Sequence, residues 1–200
     1  EQALSKWGIK RFVVKYQAIF LFPLMVFEGI SIRADGIQYL LKRRNVKYFW
    51  LELLAITTHL TIYFSLLYYL FNPWMATTFF LVHHAAWGYY LATVFAPNHK
   101  GMRMLENSNG IDFLRHQVST ARNISGGPLV DFYYGGLNYQ IEHHLFPNMP
   151  RNNLKKVRPI VREFCLQRSI PYHETGVIVA WKEILLSLHS ASAVLRTSKT

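Results

Sequence analysis

Two long apolar runs joined by a dipeptide limit most strongly how this chain folds. Tyr48 to Phe71 is 24 residues long, interrupted only by Glu52 near its start and by His59. Trp74 to Ala96 follows after Asn72-Pro73, a pair that stops one helix and starts another. A helix of 24 residues is roughly 36 Å long, enough to cross a hydrocarbon core of about 30 Å with some tilt. The two runs together read as a transmembrane helical hairpin.

Charge sets its direction. Lys42, Arg43, Arg44 and Lys47 precede the hairpin, and Lys100 and Arg103 follow it, which places both open ends on the cytoplasmic side. A third apolar segment, Tyr16 to Ile32, is 17 residues long, contains Pro23 and Glu28, and is flanked by Lys10, Arg11, Lys15 and Arg33. It reads as an interfacial or re-entrant helix pair, with a full span as the alternative.

The chain has 22 Lys and Arg against 11 Asp and Glu. Basic clusters between apolar runs suit an anionic membrane surface. They do not suit nucleic acid, because the aromatics lie inside the apolar runs instead of alternating with the basic residues. The single cysteine, Cys165, excludes an intramolecular disulfide framework and fits a reducing compartment. No signal peptide is visible in the mixed, basic stretch from Glu1 to Lys15, and the chain does not begin with Met. We expect a C-terminal piece of a longer protein.

Hydropathy drops after Ala96, so the rest of the chain is expected in the cytoplasm. Arg151, Lys155, Arg158 and Arg162 recur at helical spacing beside an apolar face of Leu154, Val157, Val161 and Phe164. Pro159 either kinks that helix or marks its start. A last amphipathic helix includes Val177, Trp181, Ile184, Leu185 and Leu188. The expected organisation is a membrane portion over 1–97, a cytoplasmic helical cap over 98–190 and a flexible tail over 191–200. The fold class is an all-α integral membrane protein.

The stretch that carries chemistry runs from Gly135 to Pro147 and includes Gln140, Glu142, His143 and His144. Adjacent imidazoles on a helix project about 100° apart, so they can face two neighbouring metal ions. Gln140 lies on the same face as both. Imidazole suits iron and leaves coordination positions free for oxygen. On their own, two adjacent histidines are better explained by a surface or packing role.

The stretch resembles the third histidine box, of the form Gln-x-x-His-His, of the membrane fatty acid desaturases. The resemblance continues through Phe146-Pro147-Asn148-Met149-Pro150-Arg151. It reaches upstream to Ala96-Pro97-Asn98-His99-Lys100-Gly101, to Arg122-Asn123-Ile124 and to the glycine pairs around Asp131. The whole chain looks like the second half of such an enzyme. The resemblance implies that His143 and His144 are iron ligands, one for each of two irons, and that His99 is a further ligand. Asn98 would hold a metal-bound water. Gln140 would bind metal through its carbonyl or orient a ligand, the second being preferred. No His-x-x-x-His or His-x-x-His-His occurs in the sequence, so the first two boxes are expected upstream of Glu1, and the fragment alone is expected to be inactive.

The implied activity is O2-dependent desaturation of a fatty acyl-CoA or acyl-lipid at a non-haem di-iron centre. Electrons would come from NAD(P)H through a b-type cytochrome or a ferredoxin-like reductase. A related hydroxylase or sphingolipid desaturase is the neighbouring alternative, and a non-catalytic zinc-binding membrane protein is the alternative of another class. The box flanks favour a bacterial plasma membrane over an endoplasmic reticulum, with the active site on the cytoplasmic side.

Other histidines take blander roles. His83 and His84, with Trp87, are expected to pack or to line an acyl tunnel. His59 is expected to hydrogen-bond between helices. His173 and His189 read as surface residues, and His116 falls in no motif. Glu142 is either a partner for a histidine or a solvated carboxylate. The basic stripe meets CoA phosphates, anionic headgroups or an acidic donor, or is a plain solvated face.

Overall fold

The computed structural model describes residues 7–43, 46–103 and 110–197, so Arg44 of the basic cluster and the last residues of the expected tail lie outside it. In order the elements are α1 (Gly8–Lys15), α2 (Gln17–Met25), α3 (Glu28–Lys42), α4 (Phe49–Leu70), α5 (Pro73–His99) and α6 (Phe113–Thr120), then β1 (Asn123–Ser125), α7 (Pro128–Tyr134), α8 (Gln140–Leu145) and α9 (Arg151–Gln167), and finally β2 (Glu174–Gly176), α10 (Val177–Ala191) and α11 (Ala193–Thr197). They form two compact units, one of Phe22–Ala92 and one of Glu1–Leu21 with Thr93–Thr200.

In the Phe22–Ala92 unit, α4 and α5 run antiparallel. Asn72 Oδ1 accepts from Met75 N at 2.9 Å and Pro73 takes the first helical position, a standard helix start. Ring pairs then climb the two helices: Phe71 with Phe79 and Phe64 with Phe80, each 5.7 Å apart. Among the described residues α4 is the one unbroken helix long and apolar enough to cross a membrane. The run expected as an equal second span falls short, because His83, His84 and several Trp and Tyr residues dilute its apolar character. Its helix also continues through Pro97 to His99. Helices α2 and α3 pass the same test as a pair bent by 80°, the geometry of a broken span or re-entrant loop. They extend past the expected Ile32 to Lys42. The turn between α2 and α3 approaches α5 closely: a Cβ on Gly88 would lie 2.5 Å from the Val26 carbonyl oxygen, so only glycine fits there.

The other unit holds two apolar clusters. Val118, Ala121, Ile141, Val161, Cys165 and Ile170 form one; Val94, Ile124, Tyr134, Leu137 and Ala180 form the other. The mostly helical structure fits the all-α expectation and adds one short strand pair. Strands β1 and β2 pair in parallel, with Asn123 opposite Glu174 and Ser125 opposite Gly176. Asn123 and Ile124 are buried, and buried backbone amides need partners that a loop would not give them. Helix α9 accommodates Pro159 without a break, and α10 lies where the periodicity places it. The tail expected to be flexible forms α11, with Leu195 only 1% exposed. Gln17 Nε2 donates to the Leu188 carbonyl at 2.9 Å and Arg196 to that of Lys15 at 3.4 Å. Those bonds tie the end of α1 and the start of α2 to α10 and α11.

Candidate metal centre

The last turn of α5 and the short helix α8 bring together five expected site residues: Asn98, His99, Gln140, His143 and His144. The rings of His99 and His144 stack with centroids 5.1 Å apart and planes 24° apart. His143 and His144 are 6.2 Å apart, centre to centre.

The polarity of the cluster can be traced from the backbone outward. Buried Asn98 places Nδ2 at 3.1 Å from the Val94 carbonyl oxygen and 3.0 Å from that of Leu137. Carbonyls only accept, so this atom is the amide nitrogen. The same nitrogen donates to Gln140 Oε1 at 3.3 Å, which turns Gln140 Nε2 toward His144 Nε2 at 3.0 Å. His144 therefore accepts at Nε2 and, when neutral, carries its proton on Nδ1. Burial first, and then the neighbouring His99, His143 and His116, push its pKa down to about 4. Burial also lowers His99, against an opposing hydrogen bond to the Thr120 carbonyl and with Arg122 and His143 adding to the drop. Neutral imidazoles are the form that binds metal.

Helix α8 is held from beneath by a polar clamp. Asn123 Oδ1 accepts from Ile141 N at 2.9 Å, while its Nδ2 donates to Glu142 Oε2 at 2.6 Å. Tyr172 donates to Glu142 Oε1 at 2.8 Å. Glu142 is fully buried; burial raises its pKa, and the bonds from Asn123 and Tyr172 pull the other way. Neither reading open for Glu142 fits: it is buried, not solvated, and its partners are Asn123 and Tyr172, not a histidine. Arg122, also buried, joins Glu183 and the Lys100 carbonyl, and its amide donates to Asn98 O at 3.0 Å. His173, read as a surface residue, sits 3.0 Å from Glu183.

The donor set fits iron in kind. His143 Nδ1 is buried with no hydrogen-bond partner, which is how a ring nitrogen looks when its partner is a metal; His144 Nδ1 is likewise unpartnered but carries that ring's proton. It is incomplete in number, since among the described residues no three His, Cys, Asp or Glu side chains converge as a metal site. His144 contributes to that shortfall by presenting its lone pair to Gln140.

His83, His84 and Trp87 belong to the other unit and are occupied by one another's neighbours. Tyr63 OH is 3.0 Å from His83 Nδ1. Arg33 lies 2.8 Å from His84 Nε2 and stacks on Trp87 at 4.6 Å. A cavity of about 410 Å³ in that unit is lined instead by residues including Ile32, Ile37, Ala55, Ile56, His59 and Leu60. Sequence reasoning took Arg33 as a flanking charge and left out His116, which is one of the neighbours that lower the His144 pKa.

The sequence matches the fatty acid desaturase family over residues 3–176. The chain belongs to that family. It is 30% identical over 98% of its length to an acyl-lipid (9-3)-desaturase of Borago officinalis, covering 44% of that protein. It is 39% identical over 74% of its length to a Delta(5) fatty acid desaturase of Caenorhabditis elegans, covering 34% of it. A Delta(8)-fatty-acid desaturase of Arabidopsis thaliana is 31% identical over 82% of the chain, which covers 36% of it. The chain thus spans less than half the length of these desaturase relatives. No solved structure matches it.

Proposed function

We propose that the full-length protein introduces a cis double bond into a fatty acyl chain carried on CoA or on a membrane lipid. The observation that carries this reading is the placing of half-buried His99 and His143 on either side of the His144 ring, within a chain of the fatty acid desaturase family.

In this reading His99, His143 and His144 hold two irons together with ligands from the remaining boxes of the full-length chain. Bound iron and O2 supply the removal of hydrogen from unactivated methylenes, which no side chain can do. Gln140 orients His144, and Asn98 fixes Gln140 through two backbone carbonyls. The clamp of Asn123, Tyr172 and Glu142 sets the pitch of α8 and so the directions of both box histidines. Helices α4 and α5, with the bent pair α2 and α3, span or enter the bilayer as a multi-pass membrane protein, with the histidine cluster on the cytoplasmic side. Electrons arrive from NAD(P)H through a b-type cytochrome or a ferredoxin-like reductase docked on the basic cytoplasmic face.

The test is product analysis. The full-length protein, expressed in a host with defined fatty acids, should yield a new monoenoic or polyenoic chain detected by gas chromatography and mass spectrometry. His143→Ala and His144→Ala should each abolish it while the protein still accumulates in membranes. A hydroxylated product in place of the olefin, or turnover unchanged in both variants, overturns the proposal.

A further inference from the structure

Away from the histidine cluster, one cavity in the Thr93–Thr200 unit has unbalanced charge, and helix α7, which contributes Asp131 to it, also exposes two large apolar side chains. It encloses about 300 Å³ and is lined by Asp131, Tyr139, Arg151, Asn152, Lys155 and the Gly135-Gly136 turn, a size at the small end of ligand pockets. The turn shapes it. Gly136 has φ +83°, and a Cβ there would lie 3.2 Å from Arg151 Cβ and 3.4 Å from its carbonyl oxygen. Backbone at this position can approach Arg151 only as glycine.

The charges do not cancel. Asp131 is fully engaged: Oδ2 accepts from Lys155 Nζ at 2.8 Å, and Oδ1 accepts from Asn138 at 2.9 Å and from the Tyr139 hydroxyl at 2.7 Å. Arg151, exposed on the same helix face one turn before Lys155, has no hydrogen bond or ion pair among the described residues. One carboxylate facing two cations leaves room for one anion. The guanidinium fork matches phosphate oxygens.

The exposed side chains of α7 decide which anion. Helix α7 carries Asp131 on its cavity side, yet Leu129 and Phe132 are 84% and 87% exposed. Spaced three apart, they share one face of the helix. A soluble phosphate uses the charge and gains nothing from such side chains. A phospholipid uses both, because apolar side chains enter the boundary between headgroups and acyl chains while cations meet the phosphate.

We propose that this cavity binds the headgroup phosphate of an anionic bilayer phospholipid, with Arg151 and Lys155 on the phosphate and Leu129 and Phe132 in the acyl boundary. The site holds the histidine-bearing unit against the membrane surface and takes no part in the chemistry. It rests on the membrane reading above and not on the desaturase activity.

The experiment uses the full-length protein reconstituted into nanodiscs of phosphatidylcholine, with or without phosphatidylglycerol. Retained lipid is counted by native mass spectrometry. The wild-type protein should keep phosphatidylglycerol in preference to phosphatidylcholine. Arg151→Gln with Lys155→Gln should lower that preference about tenfold or more, and Leu129→Ser with Phe132→Ser should lower it too. Arg162→Gln removes an exposed cation from the same helix outside the cavity and should leave it unchanged. Equal loss in Arg162→Gln, or no loss in the double variant, overturns the proposal. So does full displacement of the lipid by millimolar inorganic phosphate, which would mark a site for soluble phosphate. Should the neutral double variant misfold, the charge-conserving Arg151→Lys with Lys155→Arg must keep the preference, and its loss in a folded protein also refutes the site. Failure of the wild-type protein to enter either nanodisc would instead count against the membrane reading.

Discussion

Asn98 donates to Gln140 across 3.3 Å, and that bond has a single possible polarity. The same Asn98 nitrogen faces two backbone carbonyls, so the amide cannot be turned around. An aspartate at this position would set oxygen against oxygen in a buried site. Asn98→Ala should cost about 1–3 kcal/mol through unsatisfied carbonyls, and Asn98→Asp should cost more than Asn98→Ala despite its closer shape. Thermal unfolding of the detergent-solubilised protein, followed by intrinsic fluorescence, ranks the two. The reverse order would show that the amide is oriented otherwise.

Gln140 links Asn98 to His144. Gln140→Leu keeps the volume and removes both bonds. Its effect on turnover should be roughly 10–100-fold, the usual range for a residue that positions a metal ligand, with membrane accumulation little changed. Rates measured on membranes with matched protein content provide the check.

The clamp beneath α8 predicts a gradient. Tyr172→Phe removes one donor to buried Glu142, whereas Asn123→Ala removes a donor to Glu142 and the acceptor for Ile141 N. Each lost partner costs about 1–3 kcal/mol in a buried setting, so Asn123→Ala should lower the unfolding temperature further than Tyr172→Phe. Equal shifts would mean that the backbone bond contributes nothing.

Asp131 gives the acid limb of the stability curve. Burial raises its pKa, but hydrogen bonds from Lys155, Tyr139 and Asn138 outweigh it and hold the carboxyl below its ordinary value. A depressed carboxylate stabilises the fold above its unfolded pKa of about 4. That contribution is lost as pH falls through the lower folded value. Unfolding temperature should therefore drop below about pH 4, and Asp131→Asn should flatten the drop while lowering stability at neutral pH. A variant with an unchanged acid limb would remove Asp131 from that role.

Much of this was legible in the residues themselves. Gln140, His143 and His144 sit on one short helix, as their spacing required, and Asn72-Pro73 ends one long helix and caps the next. The bend between α2 and α3 was signalled by Pro23 and Glu28 inside an otherwise apolar run. What spacing could not reveal were partners brought in from far along the chain. Asn123 and Tyr172 meet Glu142 only after β1 and β2 pair, and three-residue strands are too short to show an alternating pattern. Arg33 looked like a flanking charge, yet it reaches His84 and Trp87. The tail looked polar and loose because one buried leucine, Leu195, is enough to dock a single turn.

The pairing of Asn123–Ser125 with Glu174–Gly176 also orders events during synthesis. Every histidine of the box leaves the ribosome before Tyr172 and Glu174 do. At about 5–20 residues per second, the nascent chain spends a second or more with its box complete and its clamp unmade. A premature stop codon just ahead of Tyr172 would preserve the entire box motif. It would still deliver a polypeptide in which the two imidazoles have no settled direction.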